Sequence, residues 1–189
     1  MGNAEHYFNH ISFSPESTRL IFFHFWRGNK RRYSRLFSYD ILMKRCKIIS
    51  YNNVSHFAWI NDRKLLVTEN EKNSIVYRIY DLKSGDQETI GQHLLKKDGH
   101  PTILEDSKTI VSDTFPDRFG YQHLFRYGIT KNELTVLSKH YSPTKYIGEY
   151  KCDLHPRLCH NNNMICIDTV EHGKRQMVLI DNFDKDFKV

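Results

Sequence analysis

Apolar residues in this chain gather in short runs: Leu20-Ile21-Phe22-Phe23, Leu65-Leu66-Val67, Thr109-Ile110-Val111 and Met164-Ile165-Cys166-Ile167. Each run follows a cluster of turn formers: Ser14-Pro15-Glu16-Ser17, Asn61-Asp62-Arg63, Glu105-Asp106-Ser107 and His160-Asn161-Asn162-Asn163. Ahead of each turn stands a segment led by histidine, at His10, His56, His100 and His155. The first of these alternates Ile11 and Phe13 with Ser12 and Ser14, the period of a half-buried strand. The second-strand runs are almost wholly apolar, as expected of strands covered on both faces. A third strand follows in Arg35–Asp40, Ile75–Asp81 and Gln176–Asp181. Apolar residues never hold helical spacing over a full window, so no long helix is predicted.

Repeats that start near residues 10, 56, 100 and 155 have the ~40–50-residue period of propeller blades. The predicted fold is all-β, a β-propeller with about four blades visible, and residues 1–189 read as one partial propeller domain. The last repeat stops after its third strand at Asp181, so the chain reads as the C-terminal part of a larger propeller. An open blade edge would then offer a place for self-association or a protein partner.

Every second strand ends on a ligand-type residue: His24, Glu69, Asp113 and Asp168. Antiparallel pairing puts the start of one strand beside the end of the next, which pairs His10 with His24, His56 with Glu69, His100 with Asp113 and His155 with Asp168. The first pair is separated by one residue more than the others, which we assign to its turn. If first strands line the channel, these histidines ring one mouth of it. Imidazole and carboxylate together suit a divalent metal or acid–base chemistry near neutral pH. The plainer expectation is that the pairs join blades structurally. Asp153 and His155, two apart on an extended segment, share a face and with His100 form a candidate metal site.

Charge narrows the ligand. The net charge is +6, and Arg27, Lys30, Arg31, Arg32 and Arg35 form its one dense cluster beside Phe25, Trp26 and Tyr33. Guanidinium forks match carboxylates as well as phosphates, so an acidic sugar is a natural partner. With no second basic stretch, nucleic acid is an unlikely one. No apolar stretch approaches the ~20 residues of a membrane span, and no membrane partner is expected. The four cysteines are too few for a disulfide scaffold, and a reduced, cytoplasmic chain is expected.

Phe13-Ser14-Pro15-Glu16 and His155-Pro156-Arg157-Leu158 resemble the turn consensus of TolB-type (PD40) propellers, without the glycine that ends that turn. The order His10-x-x-Phe13-x-Pro15, then Phe22-Phe23-His24-x-Trp26, then Arg35-Leu36-Phe37 resembles the oligogalacturonate lyase family. That resemblance implies a seven-bladed propeller acting in pectin degradation. It would bind or cleave an acidic oligosaccharide by β-elimination, with a manganese-type divalent metal. It further implies His24 and Arg35 as catalytic residues. Arg27, Trp26, Arg31 and His10 would bind substrate, and His100, His155 and Asp153 would hold the metal. The family's glutamine ligand has no counterpart ahead of Asp153. A non-catalytic propeller scaffold for protein or glycan is the alternative.

Overall fold

The computed structural model describes residues 5–28, 31–159 and 164–181, with Gly28 and Arg31 described through their backbone alone. Lys30 and the fourth expected turn, residues 160–163, lie outside the described residues. Two compact units divide the chain, Met1–Lys96 and Lys97–Val189.

The first unit holds two four-stranded antiparallel meanders. One is β1 (Glu5–Phe13), β2 (Arg19–Gly28), β3 (Arg31–Asp40) and β4 (Arg45–Ser50). The other is β5 (Val54–Trp59), β6 (Lys64–Glu71), β7 (Ser74–Asp81) and β8 (Gln87–Ile90). In the second unit, β9 (Thr102–Ile103), β10 (Thr109–Asp113), β11 (Tyr121–Gly128) and β12 (Glu133–Tyr141) form a third such sheet. A three-stranded sheet follows, of β13 (Arg157–Leu158), β14 (Met164–Thr169) and β15 (Gln176–Asp181). These up-and-down sheets are the four blades.

Alternation decides which face of each strand is buried. On β2 and β3, Ile21, Phe23, Phe25 and Leu36 point into a core shared with Val54, Leu65, Val67 and Tyr80 of the second sheet. The strand β6 is buried on both faces from Leu65 to Glu69, as its unbroken apolar run predicts. The second unit has its own core of Leu104, Val111, Leu124, Leu154, Ile165 and Ile167. Each such side chain contributes roughly 1.5–3 kcal/mol on leaving water.

The turns close without the consensus glycine. Ser14 Oγ accepts the N–H groups of Thr18 and Arg19, and Asp106 Oδ1 accepts those of Lys108 and Thr109. The left-handed position falls to Ser17 (φ 56°) and Ser107 (φ 55°). Those side chain–backbone bonds offset the steric cost that glycine would have avoided.

Buried polar pins join neighbouring sheets. Glu69, with no exposed surface, accepts from Ser50 Oγ at the end of β4 and from Asn52 Nδ2 in the linker that follows. It also accepts from Arg78 and Tyr80 on β7. Asp62 accepts from Thr18 Oγ1 at 2.5 Å and from the Glu16 N–H at 3.1 Å across the same joint.

Removing one member of a buried, bonded ion pair strands the other charge, at about 3–5 kcal/mol. Glu69→Ala should therefore cost about 3–5 kcal/mol in urea unfolding, while the double replacement Glu69→Met with Arg78→Met should recover most of it. Both tryptophans, Trp26 and Trp59, lie in the first unit, so their fluorescence reads that unit directly.

Candidate functional site

Asp113 closes β10 with no exposed surface. One carboxylate oxygen accepts the backbone N–H of His100 at 2.6 Å, and the other accepts that of His155 at 3.1 Å. The His100 ring adds Nδ1 at 3.0 Å from both oxygens. Burial alone would raise the pKa of Asp113, but the bonds from His100 and His155 hold it below the usual carboxylate range, and the group stays ionised. Gly99 makes this approach feasible, because a Cβ there would fall 1.9 Å from the Asp113 carbonyl oxygen.

These bonds fix the tautomers. With Asp113 ionised, His100 Nδ1 carries a proton. His155 Nδ1 lies 3.2 Å from the Asp153 carbonyl oxygen, which only accepts, so in the neutral ring Nε2 is the basic atom. The two ring centroids are 3.8 Å apart with planes tilted by 37°. Burial first, and then the neighbouring His100, lower the pKa of His155, which keeps it neutral near pH 7. His155 sits at φ 43°, in a left-handed conformation that the surrounding bonds must maintain. Both rings face a shallow cleft of ≈ 450 Å³ lined also by Arg157, Asp168 and Arg175. Arg157 grips Asp168 with two bonds, at 3.1 and 2.9 Å. Arg175 reaches the Lys151 carbonyl at 3.0 Å.

Two of the three expected metal donors, His100 and His155, are thus neighbours. Asp153 is engaged differently: its carboxylate takes Lys151 Nζ at 2.8 Å and Gln122 Nε2 at 3.4 Å. Among the described residues no three His, Cys, Asp or Glu side chains group as a metal site. Imidazole nitrogen suits a manganese-type ion in kind, but the set described is two donors, not three.

The first unit holds a different arrangement. His24 is buried, and its Nδ1 accepts from Arg35 Nε at 2.9 Å. Its proton must then sit on Nε2, which lies 3.0 Å from His6 Nδ1. Arg35, His24 and His6 therefore form a one-way donor chain, and His24 has no free lone pair with which to act as a base while the chain persists. Trp26 stacks on His24 and on Tyr33, with centroids 5.4 and 5.3 Å apart, and Arg35 lies 5.3 Å from its ring centre. Arg27 is exposed on β2, and the Arg31 side chain lies outside the described residues.

Of the four expected pairs, the structure forms His100 with Asp113. His10 does not meet His24: the register slips between Asn9 and Ser12, His10 turns to φ 51°, and its ring bonds Asn9 Oδ1 at 2.8 Å. The extra residue therefore sits in a bulge of β1, not in the turn. A second slip, between Val54 and His56, places Val54 opposite Glu69 and His56 opposite Thr68. Asp168 is held by Arg157, while His155 turns its backbone to Asp113. His6 lies outside the repeat frame, so no repeat-based signal marks it.

No protein-family model matches the sequence, and no curated protein sequence matches it. Solved structures do. TolB from Acinetobacter baumannii superposes with a TM-score of 0.66 at 14% identity, over 92% of this chain and 40% of that one. The chain has the β-propeller fold. An oligogalacturonate lyase from Vibrio parahaemolyticus matches with a TM-score of 0.57 at 12% identity, over 90% of this chain and 64% of its own. An oligogalacturonate lyase in complex with manganese matches with a TM-score of 0.57 at 10% identity, over 94% and 65%. The propeller described here thus spans less than two thirds of the length of these structures. No helix among its described residues is long and apolar enough to cross a membrane.

Burial first, then Arg35 and then His6, push the pKa of His24 below 6.5. A lowered folded value means that acid favours the unfolded chain, which takes up a proton that the folded ring refuses. The stabilisation is complete above about pH 6.5 and is lost as the pH falls through the folded pKa. Urea midpoints read by tryptophan fluorescence should fall between pH 7.5 and pH 5, and His24→Phe should flatten that slope.

Proposed function

We propose that this propeller binds an acidic oligosaccharide in the cleft beside His100 and His155 and has the parts to cleave it by β-elimination. The observation that carries this reading is the pair of neighbouring imidazoles, each with Nδ1 committed to an acceptor, in a cleft shared with Arg175. Arg175 at the cleft wall supplies a guanidinium for a uronate carboxylate. His100, oriented by ionised Asp113, is the base. Its Nε2 takes the proton next to the carboxylate, and the released electron pair forms a carbon–carbon double bond. The glycosidic oxygen leaves and takes a proton from solvent water, and His100 returns its own to solvent. His100 and His155 are also the donors through which a divalent ion such as manganese would be held, where it would draw charge from the carboxylate. The steps above use side chains alone. The likeness in fold to oligogalacturonate lyases supports the substrate class.

In the first unit the same reading gives Arg27, Arg31 and His10 to ligand binding, and Trp26 with them. His24 and Arg35 act there as a fixed donor pair, not as base and clamp.

A scaffold reading has its own support, because Asp113 collects two backbone N–H groups as well as the His100 ring, which is a structural use of a carboxylate. Calorimetric titration with trigalacturonate separates the two. On the binding reading, Arg175→Gln and His100→Ala each weaken affinity about tenfold, the loss of one charge-assisted contact, and neutral trigalactose does not bind. On the scaffold reading, His100→Ala lowers the melting temperature and trigalacturonate produces no heat in any variant. Release of an unsaturated sugar, lost in His100→Ala, establishes cleavage.

A further inference from the structure

The first unit carries a second cleft, of ≈ 530 Å³, where the rim of the first sheet meets the turn between β7 and β8. This size is ordinary for a small-ligand pocket. The register Ile21–Ser38–Lys47 and Arg19–Asp40–Arg45 shows how it arises. Arg45 and Lys47 lie on the face of the first sheet that carries Ile21 and Phe23, so they point toward the second sheet where the shared core gives out. Lys47 Nζ comes within 3.6 Å of the position a Cβ on Gly85 would take, and Gly85 is left-handed at φ 85°.

The acids at this rim are already committed. Asp81 takes Arg63 Nε at 2.6 Å and the N–H groups of Lys83 and Ser84 at 3.0 and 3.1 Å. Those bonds, with Arg63 first, hold its pKa far below the usual range. Asp40 accepts the Met43 N–H at 2.9 Å and faces Arg19 at 3.8 Å. Arg45 and Lys47 form no hydrogen bond or ion pair with a described residue. Arg45 and Lys47 thus line one cleft whose two acids, Asp40 and Asp81, are already engaged by other groups. Its walls are partly apolar, from Met43, Ile49 and Leu82.

We infer that this cleft binds a small phosphate monoester, with the phosphate between Arg45 and Lys47 and the apolar body against Ile49 and Leu82. A guanidinium fork and an ammonium together match the charge of a phosphate dianion. This site is independent of the His100 cleft, and neither proposal depends on the other.

The test uses the full chain and phenyl phosphate as probe, titrated by calorimetry at low ionic strength, with inorganic phosphate and phenol as comparison. Phenyl phosphate should bind with a Kd of roughly 0.1–1 mM, inorganic phosphate several-fold more weakly, and phenol not measurably. Arg45→Gln and Lys47→Gln should each weaken phenyl phosphate about tenfold with no change in melting temperature, since both side chains are exposed. Absence of binding, or binding unaltered in the double variant, overturns the site and leaves the two cations as guards of an edge strand. Equal binding of inorganic phosphate overturns the apolar half of the assignment.

Discussion

The joints between sheets depend on a carboxylate buried at the end of a second strand. Glu69 and Asp113 have no exposed surface, and a bare charge in such a place would be prohibitively unstable. Each is tolerated because donors converge on it. Glu69 draws them from the end of β4, from the linker that follows and from β7. Asp113 draws them from His100 and from the segment that enters the last sheet. The donors come from neighbouring elements, so satisfying the acid also sets the position of the next sheet. Apolar burial provides most of the stabilisation, but it has no direction. The acids supply the direction.

The same logic explains the chemistry of the histidines. A ring nitrogen facing an ionised acid or a carbonyl must carry a proton, and one facing a guanidinium must not. His100 and His155 therefore carry a proton on Nδ1, whereas His24, between Arg35 and His6, carries it on Nε2 and is used up as a relay. Residues of one type at matching places in a repeat thus have different chemistries. The difference comes from a single neighbour in each case.

Much of the fold was legible in the chain. Turn clusters and apolar runs place the second and third strands because burial on a pleated sheet has a period of two. The run Leu65–Val67, covered on both faces, and the ligand-type residue ending each second strand are equally plain. Pairing was less legible. Counting residues from His10 assumes an unbroken ladder, and bulges at Asn9–Ser12 and Val54–His56 break it. A bulge depends on the backbone of one strand against its partner, and Ile11-Ser12 reads the same with or without one. His100–Asp113 was recoverable because no slip intervenes and Gly99 stands just before the histidine. Arg35 next to His24 was visible, but that it would donate to the ring and remove its basicity depends on a cross-strand register no spacing rule reports. His6 had no counterpart in later repeats to draw notice.

Each of these joints is self-contained. Glu69 is satisfied by its own sheet and by residues at the end of β4 and just after it, and Asp113 by the segments just before and just after its own sheet. Neither carries information about how many sheets precede or follow. Blade number in such an architecture is therefore not encoded where blades are held together. A gene could gain or lose a blade by duplication or deletion and leave every remaining joint chemically intact. Ring size would be left to the angle between successive sheets, a property of their side-chain volumes.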